Sequence, residues 1–355
     1  MINAGIIGAS GYTGGELLRL LVMHPDVEIS YITSERYVGE YIHRLHPNLK
    51  GLLQMKFSSR KTVDLCNCDV IFTATPHGAS MSYVPDLITE CDIKIIDLSA
   101  DFRLKNPEKY DEYYSRTHPN PQLLSEAVYG IAELHREEIK KARIVACPGC
   151  LAASAIISLA PIFKELADQI DLKRVIVDSK IGSSAAGATV STATHHPNRA
   201  GIVRPYKPTG HRHTAEIEQE LQEVSGKPVE VFMTPHAVDI IRGILSTSHI
   251  FLDGGTEVSE NAIWRIYRNF YRDEPFIRFI RDKKGLYRYP NPKNVIGTNY
   301  ADIGFDIESK GVKRIVVFSA IDNLVKGAAG AAVQSLNLMF GMEETTALTF
   351  PGLHP

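Results

Sequence analysis

The chain has 355 residues, 44% of them hydrophobic, and a formal net charge of -2. This length predicts roughly two domains with a substantial core, and the charge gives no general attraction to nucleic acid or to an anionic membrane. No apolar run reaches the roughly 18 residues of a membrane-spanning helix, and the N-terminus lacks the charged segment of a secretory signal. The five cysteines argue against a disulfide framework, so we expect a reducing cytoplasm.

The first residues predict a dinucleotide-binding unit. An apolar strand over residues 2–8 runs into GASGYTGG at residues 8–15, and a helix and a second strand over residues 27–33 follow. Glycines let backbone N–H groups approach a pyrophosphate at a helix start. The spacing G-x-x-G-x-x-G departs from the usual G-x-G-x-x-G, but its place between a strand and a helix favours a βαβ unit.

The residues at the end of the second strand indicate which nicotinamide cofactor is bound. It reads Thr33-Ser34-Glu35-Arg36. An acidic residue alone favours a free ribose 2′-hydroxyl, whereas a serine with an arginine suits a 2′-phosphate. Ser34 and Arg36 therefore favour NADP, and an ordinary polar loop is the alternative.

Two further strands, over residues 69–73 and 93–97, end in polar loops. Ligands of open α/β sheets bind at such carboxyl ends. The second loop contains Asp101 and Arg103, and an arginine at that edge can hold an oxyanion with two N–H groups. A simple ion pair between Asp101 and Arg103 is an equally good interpretation.

The functional prediction centres on IVACPGCLAASAIISLAPIF, which starts at Ile144. A buried strand, a Pro-Gly turn and an apolar helix follow one another, with Cys150 at the helix start. Helix-start N–H groups and the helix dipole favour an anion, so a thiol there ionises readily and becomes a nucleophile. The alternative is a small core cysteine.

Cys147 and Cys150 also form a C-x-x-C pair, which is typical of dithiol redox sites and of zinc sites. With Cys66 and Cys68 the chain could supply four zinc ligands. The C-x-C spacing is not usual for zinc, so we expect no metal. The dithiol interpretation would make Cys147 the nucleophile.

Residues 195–213 form a long segment with four histidines, three arginines and one lysine. A connection this long is usually functional or disordered, and this composition indicates an anionic ligand or partner. Zinc binding by the histidines lacks acidic or cysteine support. A helix follows, for which Thr214 is the expected N-cap.

The second half predicts a mixed sheet with helices. Strands are expected over residues 174–179, 229–234, 242–251, 303–308 and 314–320, with an amphipathic helix over residues 260–272. The Ala-rich helix after Asn323 is expected to return to the first domain. The predicted domains are residues 1–150 with 325–355, and residues 151–324.

Seven motifs in the same order resemble the N-acetyl-γ-glutamyl-phosphate reductase family, which is related to aspartate-semialdehyde dehydrogenases. They are GASGYTGGEL, ATPHGAS, DLSADFRL, PGC, GHRHTAEIEQEL, TPHAVDIIRGILST and NLVKGAAGAAVQSLNLMFG. The resemblance implies an α/β protein with a Rossmann-like NADP-binding domain and an α+β domain that carries a dimer or tetramer interface. It also implies reductive dephosphorylation of an acyl phosphate.

The resemblance also implies roles for single residues. Cys150 would be the nucleophile and His213 the acid/base, with His211 beside it. Arg103 would bind phosphate, and Asn323 would lie near the nicotinamide. The other implied contacts are with NADP, at Ser10, Gly11, Tyr12, Thr13, Ser34, Glu35 and Arg36. In the basic segment, His211, Arg204 and Lys207 are the expected contacts with the substrate or its phosphate.

The chain departs from the family pattern in two places. It has CPGCLAA where the family has Asn-Pro-Gly-Cys-Tyr-Pro-Thr, and its HHPNRAGIVRPYKP run is similar to a lysine-pathway branch. That branch reduces an aminoadipyl phosphate carried by a small acidic protein, and some members also serve arginine synthesis. A basic segment suits an acidic carrier.

Three other functions stay open. The same chemistry could act on free N-acetylglutamyl phosphate. A redox sensor could use the Cys147/Cys150 pair, and a non-catalytic protein could simply bind NADP. The acyl chain length is not predictable, because one methylene is worth only about 1–3 kcal/mol of discrimination.

Overall fold

The computed structural model describes residues 1–254, 256–308 and 310–353. The chain divides into two compact units, Met1–Pro148 with Ala328–Phe350, and Gly149–Gly327 with Pro351–Pro355. The division falls before Cys150, which we expected to end the first domain. Cys150 belongs to the second unit because it begins a long helix that packs on the second sheet.

The first unit is a parallel α/β domain. Its six strands are ordered β2-β1-β3-β4-β6-β5, and every neighbouring pair is parallel. The strands are β1 (Ile2–Ile7), β2 (Val27–Thr33), β3 (Val70–Thr73), β4 (Lys94–Asp97), β5 (Val128–Tyr129) and β6 (Ile144–Ala146). The helices are α1 (Tyr12–Leu21), α2 (Val84–Glu90), α3 (Pro107–Tyr114), α4 (Pro121–Glu126) and α5 (Ala132–Lys141).

The strand order creates a crevice suited to ligand binding at the carboxyl end of β1. β2 lies on one side of β1 and β3 on the other, so the connections that follow β1 and β3 leave the sheet in opposite directions. Open α/β sheets bind ligands in the crevice at such a point. The glycine-rich turn after Ile7 and the loop after Thr73 both start at this edge.

A disulfide joins Cys66 to Cys91 in the first unit, with 5.1 Å between their Cα atoms. We expected no disulfide framework, and this bond contradicts that expectation for one pair. β3 and β4 are adjacent parallel strands, with Val70 beside Lys94. The segments that enter them from the same end are therefore neighbours; the first contains Cys66 and Cys68, and the second contains Cys91.

The second unit is built on a seven-stranded mixed sheet, ordered β11-β12-β13-β10-β7-β9-β8. Its strands are β7 (Val175–Ile181), β8 (Val203–Pro205), β9 (Val231–Val238), β10 (Ile244–Phe251), β11 (Ile277–Phe279), β12 (Ala301–Glu308) and β13 (Arg314–Ile321). Its helices are α6 (Cys150–Leu166), α7 (His196–Arg199), α8 (His213–Ser225) and α9 (Glu260–Phe270). The prediction of an α/β protein with a second α+β domain is confirmed.

α6 is the central helix of the second unit. It packs on β7, β10, β12 and β13 and is flanked by α8 and α9. Tyr267 and Tyr271 of the α9 segment donate their hydroxyl groups to the carbonyls of Ser158 and Ile157, both at 2.6 Å. A helix that is apolar all round is a buried helix, and here it fixes where Cys150 lies.

The expected N-cap of α8 is wrong. The helix starts at His213, so Thr214 lies inside it, and the capping residue Arg212 makes no side-chain cap hydrogen bond. The His211 ring takes over part of this role, because its Nδ1 accepts the His213 backbone N–H at 3.2 Å.

The chain re-enters the first unit at its end. A π-helical turn, Val325–Ala329, leads into α10 (Gly330–Met339). The Lys94 ammonium donates to the carbonyl of Met339 at 2.8 Å, and His24 Nε2 lies 2.9 Å from Asn337 Oδ1. In the part of the chain that the structure describes, no helix combines the length and apolar character needed to cross a membrane.

Candidate active site

Cys150 and Cys147 differ in their surroundings, although neither belongs to the disulfide. Cys150 is half-buried and is the first residue of α6, whereas Cys147 is 1% exposed. Burial, and secondarily the charge of Asp97, raise the pKa of the Cys147 thiol well above its usual range. Since only a thiolate is a nucleophile, the environment favours Cys150 for this chemistry.

The residue before Cys150 is enclosed by two side chains of α8. Glu216 is fully buried and its Oε2 accepts the Gly149 N–H at 2.8 Å. A Cβ atom on Gly149 would touch His213 Nε2, and would lie 2.6 Å from His213 Cδ2 and 2.8 Å from Glu216 Oε1. Only glycine fits here, so the imidazole and the carboxylate lie directly against the backbone that leads into Cys150.

His213 and Glu216 are one helical turn apart, with His213 Nε2 3.9 Å from Glu216 Oε1. A buried carboxylate thus lies beside the imidazole. The sequence analysis assigned no functional role to Glu216. The three-residue spacing from His213 is the signal that could have identified it.

His211 is held as a neutral ring. It lies edge-on to His213, with ring centroids 4.8 Å apart. Burial lowers the pKa of His211 to about 4, and the charges of Arg212 and Lys207 add to this effect. Because Nδ1 accepts the His213 N–H, the proton of the neutral ring resides on Nε2, which can donate a hydrogen bond.

Tyr206 is a further aromatic residue in this cluster that the sequence interpretation did not include. Its ring lies edge-on to His211, with centroids 6.0 Å apart. Burial and, to a smaller extent, the charge of Cys150 raise the pKa of the phenol. The hydroxyl therefore stays protonated and can act as a donor.

The basic segment divides into exposed and inward-facing cations. Arg204 and Lys207 are exposed, and Arg204 donates to the Ala193 carbonyl at 3.2 Å. Arg199 instead donates to the carbonyls of Ile181 at 3.1 Å and Val238 at 2.8 Å. Arg199 thus anchors the segment to the sheet, and Arg204 and Lys207 remain at the surface.

Asn323 is almost completely buried after the end of β13. Its Oδ1 accepts the Gly243 N–H at 2.8 Å, and its Nδ2 donates to Ser184 Oγ at 3.0 Å. Both ends of the amide therefore hold other segments of the second unit in place. Its predicted position near the nicotinamide stays a prediction.

The glycine-rich turn of the first unit has the features of a phosphate site. α1 starts at Tyr12, with Gly11 as an N-cap that makes no side-chain hydrogen bond. The N–H groups of such a helix start are suited to an anion. The Ser34 hydroxyl donates to Ser10 Oγ at 3.0 Å, so the two predicted contact segments lie together.

Glu35 is engaged by residues other than these serines. Its carboxylate accepts the Ser59 hydroxyl and the Arg60 backbone N–H, both at 2.8 Å. The Arg60 hydrogen bond and then the Ser59 hydrogen bond lower the pKa of Glu35. The Arg60 backbone therefore lies beside the segment that contains Arg36, whereas the Arg60 guanidinium lies over the Tyr83 ring, 4.7 Å from its centroid.

Arg103 is buried and donates hydrogen bonds to two backbone carbonyls that follow the carboxyl ends of β6 and β4. Its Nε donates to the Cys147 carbonyl at 2.7 Å and its Nη2 to the Leu98 carbonyl at 3.2 Å. Asp101 accepts the N–H of Gly78 at 2.6 Å and the hydroxyl of Tyr110 at 3.1 Å. Both residues thus organise the loops at the carboxyl edge of the parallel sheet.

Among residues 1–254, 256–308 and 310–353, no group of three or more His, Cys, Asp or Glu side chains could hold a metal ion. Cys66, which a four-cysteine zinc site would require, is bonded to Cys91.

Two family profiles match the chain. The semialdehyde dehydrogenase NAD binding domain matches residues 3–142, and the semialdehyde dehydrogenase dimerisation domain matches residues 150–323. The chain belongs to the semialdehyde dehydrogenase family. As a semialdehyde dehydrogenase family member it is an oxidoreductase with a nicotinamide-binding domain.

Curated relatives span the whole chain. A protein of Cenarchaeum symbiosum, named a LysW-L-2-aminoadipate/LysW-L-glutamate phosphate reductase, is 52% identical over 100% of both chains. A protein of Thermomicrobium roseum, named a LysW-L-2-aminoadipate 6-phosphate reductase, is 47% identical over 100% of this chain and 99% of its own. They confirm the resemblance to carrier-dependent reductases.

Solved structures of the semialdehyde dehydrogenase family share the fold. Aspartate semialdehyde dehydrogenase II of Vibrio cholerae, in complex with ASA, is 18% identical, with a TM-score of 0.72 over 96% of this chain and 98% of its own. Aspartate semialdehyde dehydrogenase of Candida albicans, solved with NADP, is 16% identical, with a TM-score of 0.65 over 96% and 99%. At these identities the similarity concerns the fold alone.

Proposed function

We propose that the protein is an NADPH-dependent reductase of an aminoadipyl, and also a glutamyl, acyl phosphate attached to a small acidic carrier protein. The product is the semialdehyde, with release of phosphate, in lysine and arginine biosynthesis. The observation that carries the proposal is the Cys150 helix start enclosed by His213 and Glu216. The names of the full-length relatives support the substrate.

Cys150 acts first. Its thiolate attacks the acyl carbonyl, and the C–O bond to phosphate breaks, which leaves a thioester on the sulfur. N–H groups at the start of α6 stabilise the oxyanion. His213, oriented by Glu216, is the acid/base that takes and returns the proton. Arg103 is the proposed phosphate ligand, and its bonds to two carbonyls orient its guanidinium.

The residues of the first unit fit a phosphorylated dinucleotide. Ser10, Gly11, Tyr12 and Thr13 form the turn and helix start that would hold the pyrophosphate. Ser34 and Arg36 would hold the 2′-phosphate, since Glu35 is already engaged by Ser59 and the Arg60 backbone. Bound NADPH supplies the hydride that reduces the thioester. The thiohemiacetal on Cys150 then collapses to the aldehyde and regenerates the thiol.

The exposed Arg204 and Lys207 suit an acidic carrier through charge complementarity. His211, as a neutral Nε2–H donor, suits a carbonyl or phosphate oxygen of the substrate. The matched dimerisation domain supports a homodimer or homotetramer. We propose a cytoplasmic location for this biosynthetic reductase.

The reverse reaction tests the proposal. Phosphate-dependent reduction of NADP is measured with carrier-linked semialdehyde and with free N-acetylglutamate semialdehyde, in the wild type and in Cys150→Ala, Cys147→Ala and Arg204→Glu/Lys207→Glu. We expect activity with the carrier-linked substrate, loss of at least about 1,000-fold in Cys150→Ala, and little change in Cys147→Ala. Charge reversal should raise KM for the carrier-linked substrate.

Two results would contradict the proposal. Wild-type rates in Cys150→Ala would remove the thioester mechanism. Efficient use of the free acetylated substrate, undiminished by charge reversal, would favour the alternative that the enzyme acts on free N-acetylglutamyl phosphate.

For the cofactor, KM is measured for NADPH and NADH in Arg36→Ala, with Arg44→Ala as an exposed arginine control from the same unit. Loss of a charge-assisted phosphate contact should raise KM for NADPH roughly tenfold or more and leave KM for NADH unchanged. Equal changes for both cofactors would argue against a 2′-phosphate contact at Arg36.

A further inference from the structure

We propose that Gly327 is a positioning residue for Cys150, because its missing side chain leaves the space that the cysteine occupies. A Cβ atom at position 327 would lie 2.7 Å from Cys150 Cβ and 3.2 Å from Cys150 Cα. Carbon atoms in contact are normally about 3.5–4.0 Å apart. The backbone of Gly327 therefore packs directly against Cys150. On the preceding residue, His213 and Glu216 pack directly against the backbone of Gly149.

The π-helical turn Val325–Ala329 explains why the chain comes so close. The Gly327 N–H donates to the Asp322 carbonyl at 3.0 Å, which is the i to i-5 hydrogen bond of a π-turn. Such turns are rare and occur frequently at functional sites. The wider turn presents the Gly327 backbone to the start of α6.

The packing around Gly327 and α6 prevents either of them from moving away from the other. Asp322 is fully buried, and its carboxylate accepts the N–H groups of Gly297 at 2.7 Å and Leu324 at 2.8 Å. α6 is buried along nearly its whole length. An added methyl group at position 327 must therefore displace Cys150 itself, and a displacement of about 1 Å at a reacting centre can cost about 100-fold in rate.

The inference rests on the proposed function only where activity is measured, so the first test measures the thiol. The rate of Cys150 alkylation by iodoacetamide is followed by mass spectrometry from pH 5 to 9 in the wild type, Gly327→Ala and Gly254→Ala. Gly254 has open space around its Cβ position and lies in the same unit. We expect alkylation at pH 7 to be at least about tenfold slower in Gly327→Ala, since the displaced thiol leaves the helix-start N–H groups, and unchanged in Gly254→Ala. An unchanged or faster rate in Gly327→Ala would overturn the inference.

A second test asks whether the clash is with Cys150. The unfolding midpoint in urea is measured for Gly327→Ala, Cys150→Gly and the double variant. If the methyl group meets the Cys150 side chain, Gly327→Ala lowers the midpoint in the wild-type background and much less in the Cys150→Gly background. Equal loss in both backgrounds, or failure of both proteins that carry Gly327→Ala to fold, would overturn the inference. A wild-type rate in Cys150→Ala would instead reject the proposed function and leave this steric result standing.

Discussion

His211 and His213 are neighbours with different environments. His213 has Glu216 at 3.9 Å, whereas His211 has two cationic neighbours and a pKa lowered to about 4 by burial. The sequence alone could not distinguish them, because both belong to one HRH motif. The buried carboxylate beside His213 supports the proposed proton-transfer role of that residue, and the Nδ1 hydrogen bond supports the proposed donor role of His211.

This difference predicts a pH-dependent stability. The folded pKa of His211 lies below the value of about 6.5 expected in the unfolded chain, so the stabilisation is present above pH 6.5 and is lost as pH falls toward 4. The full effect is about 3 kcal/mol. The free energy of unfolding is measured in urea at pH 7 and at pH 4.5. Its decrease between the two pH values should be larger in the wild type than in His211→Asn. The His195→Asn variant is the control and should behave as the wild type.

At the scale of elements, the disulfide Cys66–Cys91 ties the entrances of β3 and β4 together across 25 residues of sequence. Closing a loop of this size stabilises a protein by about 2–4 kcal/mol. Cys66→Ser should lower the free energy of unfolding by this amount under non-reducing conditions and match the wild type in dithiothreitol. Two results would show that the bond does not stabilise the protein in solution. The free energy of unfolding of the wild type would be the same with and without reductant, and non-reducing peptide maps would show both thiols free.

The elements that sequence patterns predicted well are those with local signals. The apolar strands of the first sheet, the glycine turn and the helix after Cys150 follow from runs and turn residues that lie next to each other in the chain. The predictions failed where distant segments meet. The Cys66–Cys91 bond depends on β3 lying beside β4, and the start of α8 depends on the His211 ring rather than on Thr214. The close contact of Gly327 with Cys150 depends on a π-turn that lies far along the chain from Cys150. The sequence around Cys150 carries no local signal for that contact.

At the scale of the whole molecule, the open face of the second sheet predicts how copies associate. In β7, β9, β10 and β13 the side chains alternate between buried and partly exposed, and α6 packs on the buried face. The open face carries Phe232, Ile176 and Val316 in one row across adjacent strands, with His249 between the last two. Antiparallel and mixed sheets can leave one face to solvent, but a row with three apolar side chains favours a partner surface.

The charges on this face suit a second copy of the same chain. The Asp178 carboxylate lies 2.5 Å from the Lys180 ammonium and 3.3 Å from His236 Nδ1, so the charges of Asp178 and Lys180 beside the apolar row are already paired within one subunit. An isologous interface can then bury the apolar row without leaving these charges unpaired. The matched dimerisation domain covers these strands. We therefore expect the sheet face to form the interface of the homo-oligomer.

Phe232→Glu tests this expectation, because Phe232 is 54% exposed in the single chain and its replacement should not disturb the fold. A carboxylate buried at the interface should raise the dissociation constant by about 100-fold or more, which corresponds to about 2.7 kcal/mol. Leu286→Glu is the matched control, since Leu286 is an exposed apolar residue of the same unit that lies outside the four strands. Light scattering after size-exclusion chromatography, over a dilution series, should show dissociation in Phe232→Glu alone. Dissociation in Leu286→Glu with an intact Phe232→Glu oligomer would locate the interface elsewhere.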